Sequence, residues 1–196
     1  RKNNNLSLSI INGDDLQNVN AVNTFIYSLN ADYFCILTQN DLLAPDYFLK
    51  LSAVAEKYST AILYCDEDYV TLNGLYHFSP SFKPDFNLDY LRSTNYIGTA
   101  SCINLKFFKD SGGFHYFPES CLYDFYLRAS CSSCNFKHIP EVLYHKRADY
   151  IKSPVFQYSL PLPASFSSGM DLKVLKEYYH ALHIKADIKE TEINGL

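Results

Sequence analysis

Apolar residues fall in short runs and in helical stripes, and the two alternate along the first third of the chain. Residues 6–11 (LSLSII) read as a strand, and the following NGDD reads as a turn. Val22, Phe25, Ile26 and Leu29 then recur at i, i+3, i+4 and i+7, which predicts a helix over residues 19–29. Residues 32–37 (DYFCIL) predict a short buried strand. Pro45 predicts the opening of a helix, where its missing N–H is harmless, with Leu51, Val54, Ala55 and Tyr58 as the buried stripe. Residues 61–65 (AILYC) predict the next buried strand and lead straight into Asp66, Glu67 and Asp68. Near-continuous apolar strands separated by amphipathic helices predict an α/β fold whose sheet is mostly parallel and covered on both faces.

The pattern loosens after Asp68. Asn73–Gly74 predicts a hairpin turn. Residues 78–91, with Pro80 and Pro84, read as an extended loop, and residues 104–109 as a helical turn or two stopped by Gly112–Gly113. Ser120 is placed to cap a helix running through residue 131. Residues 136–147 (FKHIPEVLYHKR) read as a strand interrupted by Pro140, hence an edge strand. Val174, Leu175, Tyr178, Tyr179 and Leu182 predict a last helix. The division expected is an α/β domain over residues 1–147, a Ser/Pro-rich linker or surface wrap over 148–170, and a C-terminal helix and tail over 171–196.

Composition narrows the function classes. At 47% hydrophobic and 19% charged the chain is globular in character. Its net charge of −4, without a Lys/Arg run, speaks against a nucleic-acid partner. No apolar stretch reaches membrane-spanning length and no signal peptide opens the chain, so a cytoplasmic location is expected, with any membrane association made through partners. The 17 Tyr and 14 Phe suit a sugar-binding surface, but biased codon usage is the favoured explanation. Of the six cysteines, Cys131 and Cys134 have the C-x-x-C spacing of zinc or redox sites; no second such pair and no His pair accompanies them.

The acids at the end of the 61–65 run invite two readings. Asp66 and Asp68, two apart in a strand, share a side and could face one cation, with Glu67 turned away. Equally, they mark a solvated strand end. Asp124 stands four residues before Arg128 at a helix start, which supports either an ion pair or a general base.

Several stretches together resemble the bacterial family-two glycosyltransferases of the polysaccharide-synthesis type. They are NVNAVNTFIYSLNADYFCILTQNDLLAPDYF, LYCDEDYV, FKPDFNLDYLRSTNYIG, the GGF at Gly112–Phe114, LYDFYLRAS and HIPEVLYHKR, which span residues 19–147. The resemblance implies a GT-A nucleotide-diphospho-sugar transferase fold. It implies transfer of a sugar from a nucleotide sugar to a saccharide acceptor, by single displacement with inversion, during surface polysaccharide synthesis. It also implies a Mg²⁺ or Mn²⁺ ion to offset leaving-group charge. Carried onto this sequence, it makes Asp41 and Asn40 the metal-holding residues and Asp124 the base. Asp66, Asp68, Lys83, Asp85, Asn95, His145 and Arg147 become donor- or acceptor-binding residues.

This chain departs from the family pattern in two respects. The family's first strand–helix–strand unit is missing, so a segment of a longer polypeptide is expected, with another transferase domain of that polypeptide as a partner. The family's Asp-x-Asp loop here reads Thr38, Gln39, Asn40, Asp41, and its base position carries Leu122. The alternative is therefore a catalytically silent module that binds saccharide or pairs with an active domain.

Overall fold

The computed structural model describes residues 18–37, 41–115, 120–132, 134–148 and 169–189. In chain order the elements are α1 (Val19–Ser28), β1 (Tyr33–Cys35), β2 (Leu42–Leu43), α2 (Tyr47–Tyr58), β3 (Ile62–Thr71), β4 (His77–Ser81), α3 (Leu88–Ser93), β5 (Ser101–Asn104), α4 (Leu105–Asp110), α5 (Cys121–Ser130), β6 (Phe136–Ala148) and α6 (Gly169–Ala181). The expected strand at 6–11, loop residues 38–40 and nearly all of the 148–170 segment lie outside the described residues.

The predicted helices form where the apolar spacing put them. Asn18 caps α1 by accepting from the backbone N–H groups of Asn20 and Ala21. Asn104 caps α4 through Phe107 N–H. Ser120 precedes α5 but does not cap it: its hydroxyl donates to Asp171 of α6. The hairpin at Asn73–Gly74 is present, with Gly74 at φ +76°, the conformation a tight turn asks of glycine. The stretch expected as a loop over 78–91 contributes both β4 and α3.

The strands join in one sheet, ordered β1-β5-β3-β6-β2, with β4 paired to the upper half of β3. The sheet is mixed. Among the described pairs only β3–β6 is parallel, and β1–β5, β3–β5, β3–β4 and β2–β6 are antiparallel. This corrects the expectation of a mostly parallel sheet. Two-sided burial of β3 was correctly implied by its apolar run, but burial does not encode direction. A hairpin supplies β4, and β5 enters between β1 and β3 in the opposite sense.

Strand β6 corrects the other expectation. It is central, flanked by β3 and β2, despite Pro140. The proline falls where the register shifts: Cys65 pairs with Ile139 and Asp66 with Val142, so Pro140 and Glu141 oppose no residue of β3. A bulge removes the need for the N–H that proline lacks. A second shift follows, since Glu67 pairs with Tyr144.

Two apolar clusters cover the sheet. One joins β-strand residues Phe34, Ile62 and Tyr64 to α1 (Val22, Ile26), α4 (Phe108), α5 (Phe125, Tyr126) and α6 (Val174, Tyr178). The other lies under α2, with Tyr47 and Leu51 over Leu63, Cys65, Cys102, Ile139, Leu143 and Tyr144. Successive residues of β3 thus serve opposite clusters, as a pleated strand requires. Leu143 and Tyr144, although adjacent, enter the same cluster because of the bulge. Among the described residues no helix is long and apolar enough to cross a membrane.

Candidate functional site

Strand β3 continues past Cys65 and stays paired with β6 through two register shifts, so Asp66, Glu67 and Asp68 are held inside the sheet at 3%, 2% and 7% exposure. The reading of a solvated strand end is overturned. Buried carboxylates require partners, and each has its own. Asp66 Oδ1 accepts from Lys83 N–H at 2.8 Å and from His138 Nε2 at 2.7 Å, and the His138 ring stacks on Tyr64 at 5.0 Å. Glu67 accepts from Lys83 Nζ at 3.0 Å and Lys146 Nζ at 2.7 Å. Asp68 accepts from His145 Nδ1 at 2.6 Å and His77 Nδ1 at 2.9 Å.

The alternation expected for the triplet is therefore seen. Glu67 turns to a pair of ammonium groups, and Asp66 and Asp68 each turn to a histidine of β6. Asp66 and Asp68 do not share a partner, so each anchors a separate contact.

Lys83 links the network to the following loop. Besides Glu67, its Nζ donates to Ile97 O at 2.7 Å, and its side chain is almost wholly enclosed. Asn95 Oδ1 accepts from Gly98 N–H at 3.3 Å. Gly98 has φ +64°, and a Cβ there would sit 3.7 Å from Glu67 Oε2. Lys83 thus pins the 83–98 segment to β3 at both of its ends. Burial pushes the Glu67 carboxyl up, but Lys83 and Lys146 outweigh it and hold the group below its ordinary range. Burial also draws Lys146 down, against the pull of Glu67.

Asp41 precedes β2, the strand that pairs Leu42 with His145 and Leu43 with Tyr144. Its carboxylate accepts from Tyr144 OH at 2.6 Å and from Arg147 N–H at 3.2 Å. The Nε of Arg147 is buried and has no hydrogen-bond partner among the described residues. Asp85 is exposed and reaches His138 Nδ1 only at 3.8 Å. Asn40 lies outside the described residues.

Asp124 stands apart. Its carboxylate pairs with Arg128 at 2.9 Å and lies 3.5 Å from His115 Nδ1, while Arg128 also donates to the carbonyls of Ser111 and Gly113. The ion pair read from the i, i+4 spacing is present. The structure thus gathers Asp41, Asp66, Asp68, Lys83, His145 and Arg147 around β3 and the end of β6, and joins Asp124 to the 111–115 turn instead.

Three members of the network were not among the candidates: His77, His138 and Lys146. Single histidines and lysines in strands carry no spacing signal. Only the register places His138 opposite Tyr64 and His145 opposite Asp68. The cysteines are all free, and burial pushes the Cys134 thiol up to about 12, which leaves it protonated and unreactive at neutral pH.

No family model matches the chain. It is 30% identical over 129 residues to the O-antigen biosynthesis protein RfbC of Myxococcus xanthus, a match that takes in 65% of this chain and 10% of that protein. It is 32% identical over 132 residues to the uncharacterised protein y4gI of Sinorhizobium fredii, covering 65% of this chain and 14% of the other. The chain therefore spans about a tenth to a seventh of the length of these relatives. Among solved structures, it is similar to TarS of S. aureus (residues 1–349). The match to the complex with UDP-GlcNAc has TM-score 0.56 at 12% identity, over 86% of this chain and 47% of that one. The match to TarS 1–349 without that ligand has TM-score 0.51 at 12% identity, over 82% and 49%. The fold is α/β, a mixed sheet with flanking helices, similar to that of TarS 1–349.

Proposed function

We propose that this chain is part of a glycosyltransferase that moves a sugar from a nucleotide donor to a saccharide hydroxyl in the building of bacterial surface polysaccharide. The observation that carries the reading is the 129-residue similarity to an O-antigen biosynthesis protein. A fold like that of TarS, which was crystallised with UDP-GlcNAc, agrees with it.

Displacement of a nucleoside diphosphate needs positive charge at the leaving group. Arg147, with a buried Nε that has no partner among the described residues, suits a phosphate oxygen. Asp41 is the one carboxylate in the loop expected to hold Mg²⁺ or Mn²⁺, and its oxygens already accept from Tyr144 and Arg147. That donor set fits a cation whose coordination the substrate's own phosphates and water complete, with Asn40, the preceding residue in the sequence, as the second ligand expected. Bound there, the ion would supply charge neutralisation at the diphosphate. Asp66, Asp68 and Lys83 serve by fixing the 83–98 segment and β6 against β3, and that segment presents the exposed Asp85, with Asn95, toward the saccharide. Asp124 serves as base if Arg128 releases it. The site of action is the cytoplasm, with membrane association through partners.

The second reading is the silent module, in which the chain binds saccharide or supports another transferase domain. Leu122 at the base position and the tight Asp124–Arg128 pair favour it.

Calorimetry separates the two. With millimolar UDP- or dTDP-sugar and Mn²⁺, the transferase reading expects saturable heat, and Arg147→Gln weakens binding about tenfold or more, the worth of a charged hydrogen bond. Absence of heat overturns the donor site. Binding without turnover, where Thr38→Asp, Asn40→Asp and Leu122→Asp together restore turnover, identifies the silent module.

A further inference from the structure

Three strands bring one carboxylate and two imidazoles to a single point. Asp68 comes from β3, His77 from β4 and His145 from β6, and one ligand atom from each lies within 4.8 Å of the others. The rings of His77 and His145 meet edge-on, with centroids 4.6 Å apart. Asp68 is 7% exposed and the His77 side chain 49% exposed, so the cluster has a buried floor and an open side.

We propose that Asp68, His77 and His145 form a binding site for a divalent transition metal of the Zn²⁺ class. Two nitrogens and one oxygen are the donor set that such ions prefer, whereas Mg²⁺ selects oxygen. The two Nδ1 atoms already point at opposite oxygens of Asp68. Each imidazole offers its Nδ1 lone pair once its proton moves to Nε2, which leaves the ring neutral. A tetrahedral ion at Zn–N and Zn–O lengths near 2.0 Å would hold its ligands about 3.3 Å apart, so the two His–Asp contacts must open slightly and the widest separation, within 4.8 Å, must close. The exposed side leaves a fourth position for water. The assignment is independent of the sugar-nucleotide reading and distinct from the cation expected at Asp41. Tyr144 and His145 are consecutive in β6 and turn to opposite faces, Tyr144 to Asp41 and His145 to Asp68.

The bound ion would clamp the β3–β4 hairpin to β6. Of the three ligands only His77 belongs to the hairpin's outer strand, and it is exposed enough to be replaced without opening the core.

The test is a Co²⁺ titration of the full chain, read by visible d–d absorption, with Zn²⁺ competition and thermal melting alongside. A Cys131→Ser/Cys134→Ser background removes the thiols as rival ligands. The expected result is one ion per chain, displaced by Zn²⁺ and not by millimolar Mg²⁺. Zn²⁺ should raise the melting midpoint by about 5 °C. His77→Gln should weaken Co²⁺ binding more than about tenfold and abolish the Zn²⁺-dependent shift, while leaving the metal-free midpoint close to that of the parent. Unchanged binding in His77→Gln, loss of binding in the serine background, or no binding by the parent chain would each overturn the site.

Discussion

Glu67 shows how a charge survives at the centre of a sheet. Its two ammonium partners come from different directions, Lys83 from the loop after β4 and Lys146 from β6. Removing one partner leaves a buried carboxylate with half its compensation. Lys83→Met is expected to destabilise the fold by about 3 kcal/mol in urea unfolding. The sign of the pH dependence follows from the direction of the shift. Glu67 titrates below its ordinary value of 4.5 when folded, so the unfolded chain binds the proton more readily. The network's stabilisation is complete above that ordinary value and is lost as pH falls through the depressed one. Equilibrium unfolding of the parent and Glu67→Gln between pH 3 and 7 checks it: the difference between them should shrink as the pH falls. The Asp68 and Glu67 positions could be picked out of the sequence by their acidity, and Lys83 and His145 through the resemblance, but His77 and Lys146 could not, because nothing local distinguishes them from solvated residues.

Among the elements, the turn after α4 is the most sharply specified. Gly112 and Gly113 have φ of +80° and +73°. Asn23 of α1 closes over this turn, accepting from Phe114 N–H at 2.9 Å and donating to Phe114 O at 2.8 Å. A Cβ on Gly113 would lie 2.8 Å from Asn23 Oδ1 and would also strike the Tyr27 hydroxyl. Gly113→Ala is therefore expected to cost at least about 2 kcal/mol, from positive-φ strain together with displaced packing. Gly112→Ala, with no atom within 4 Å of its Cβ, should cost only the strain. Paired thermal melts measure the difference. Elements with eight or more residues and a clear stripe were legible from spacing: α1, α2, the apolar start of β3, and α6. The four- and five-residue strands β5 and β4 were not. β5 is too short to show a period, and β4 contains Pro80 and a positive-φ Ser79. Such segments become strands because β3 offers them an edge.

For the molecule as a whole, β3–β6, the single parallel pair among the described residues, carries the network, and the antiparallel additions on either side frame it. The α/β class could be read from the alternation of runs and stripes. Strand direction could not, since it depends on where each connection returns, which lies beyond any window of sequence. The convergence of Asp41, Asp66, Asp68, His145 and Arg147 was legible only through the resemblance. The separation of Asp124 from them came from tertiary placement, because α5 packs between α3 and α6 and its acid faces the 111–115 turn.

The second irregularity in β6, at Leu143, acts as a phase shifter for the strand. Counting upward from Ile139, uninterrupted alternation would send residue 145 to the side of α2 and residue 146 to the opposite side. Pro140 and Glu141, being two, leave that parity unchanged, and the single extra residue Leu143 reverses it, so the imidazole at 145 meets Asp68 and the ammonium at 146 meets Glu67. Without that reversal a histidine would stand against the carboxylate that wants a fixed positive charge. That one-residue irregularity, and not the proline that disguises β6 as an edge in the sequence, is what sorts its side chains to their proper acids.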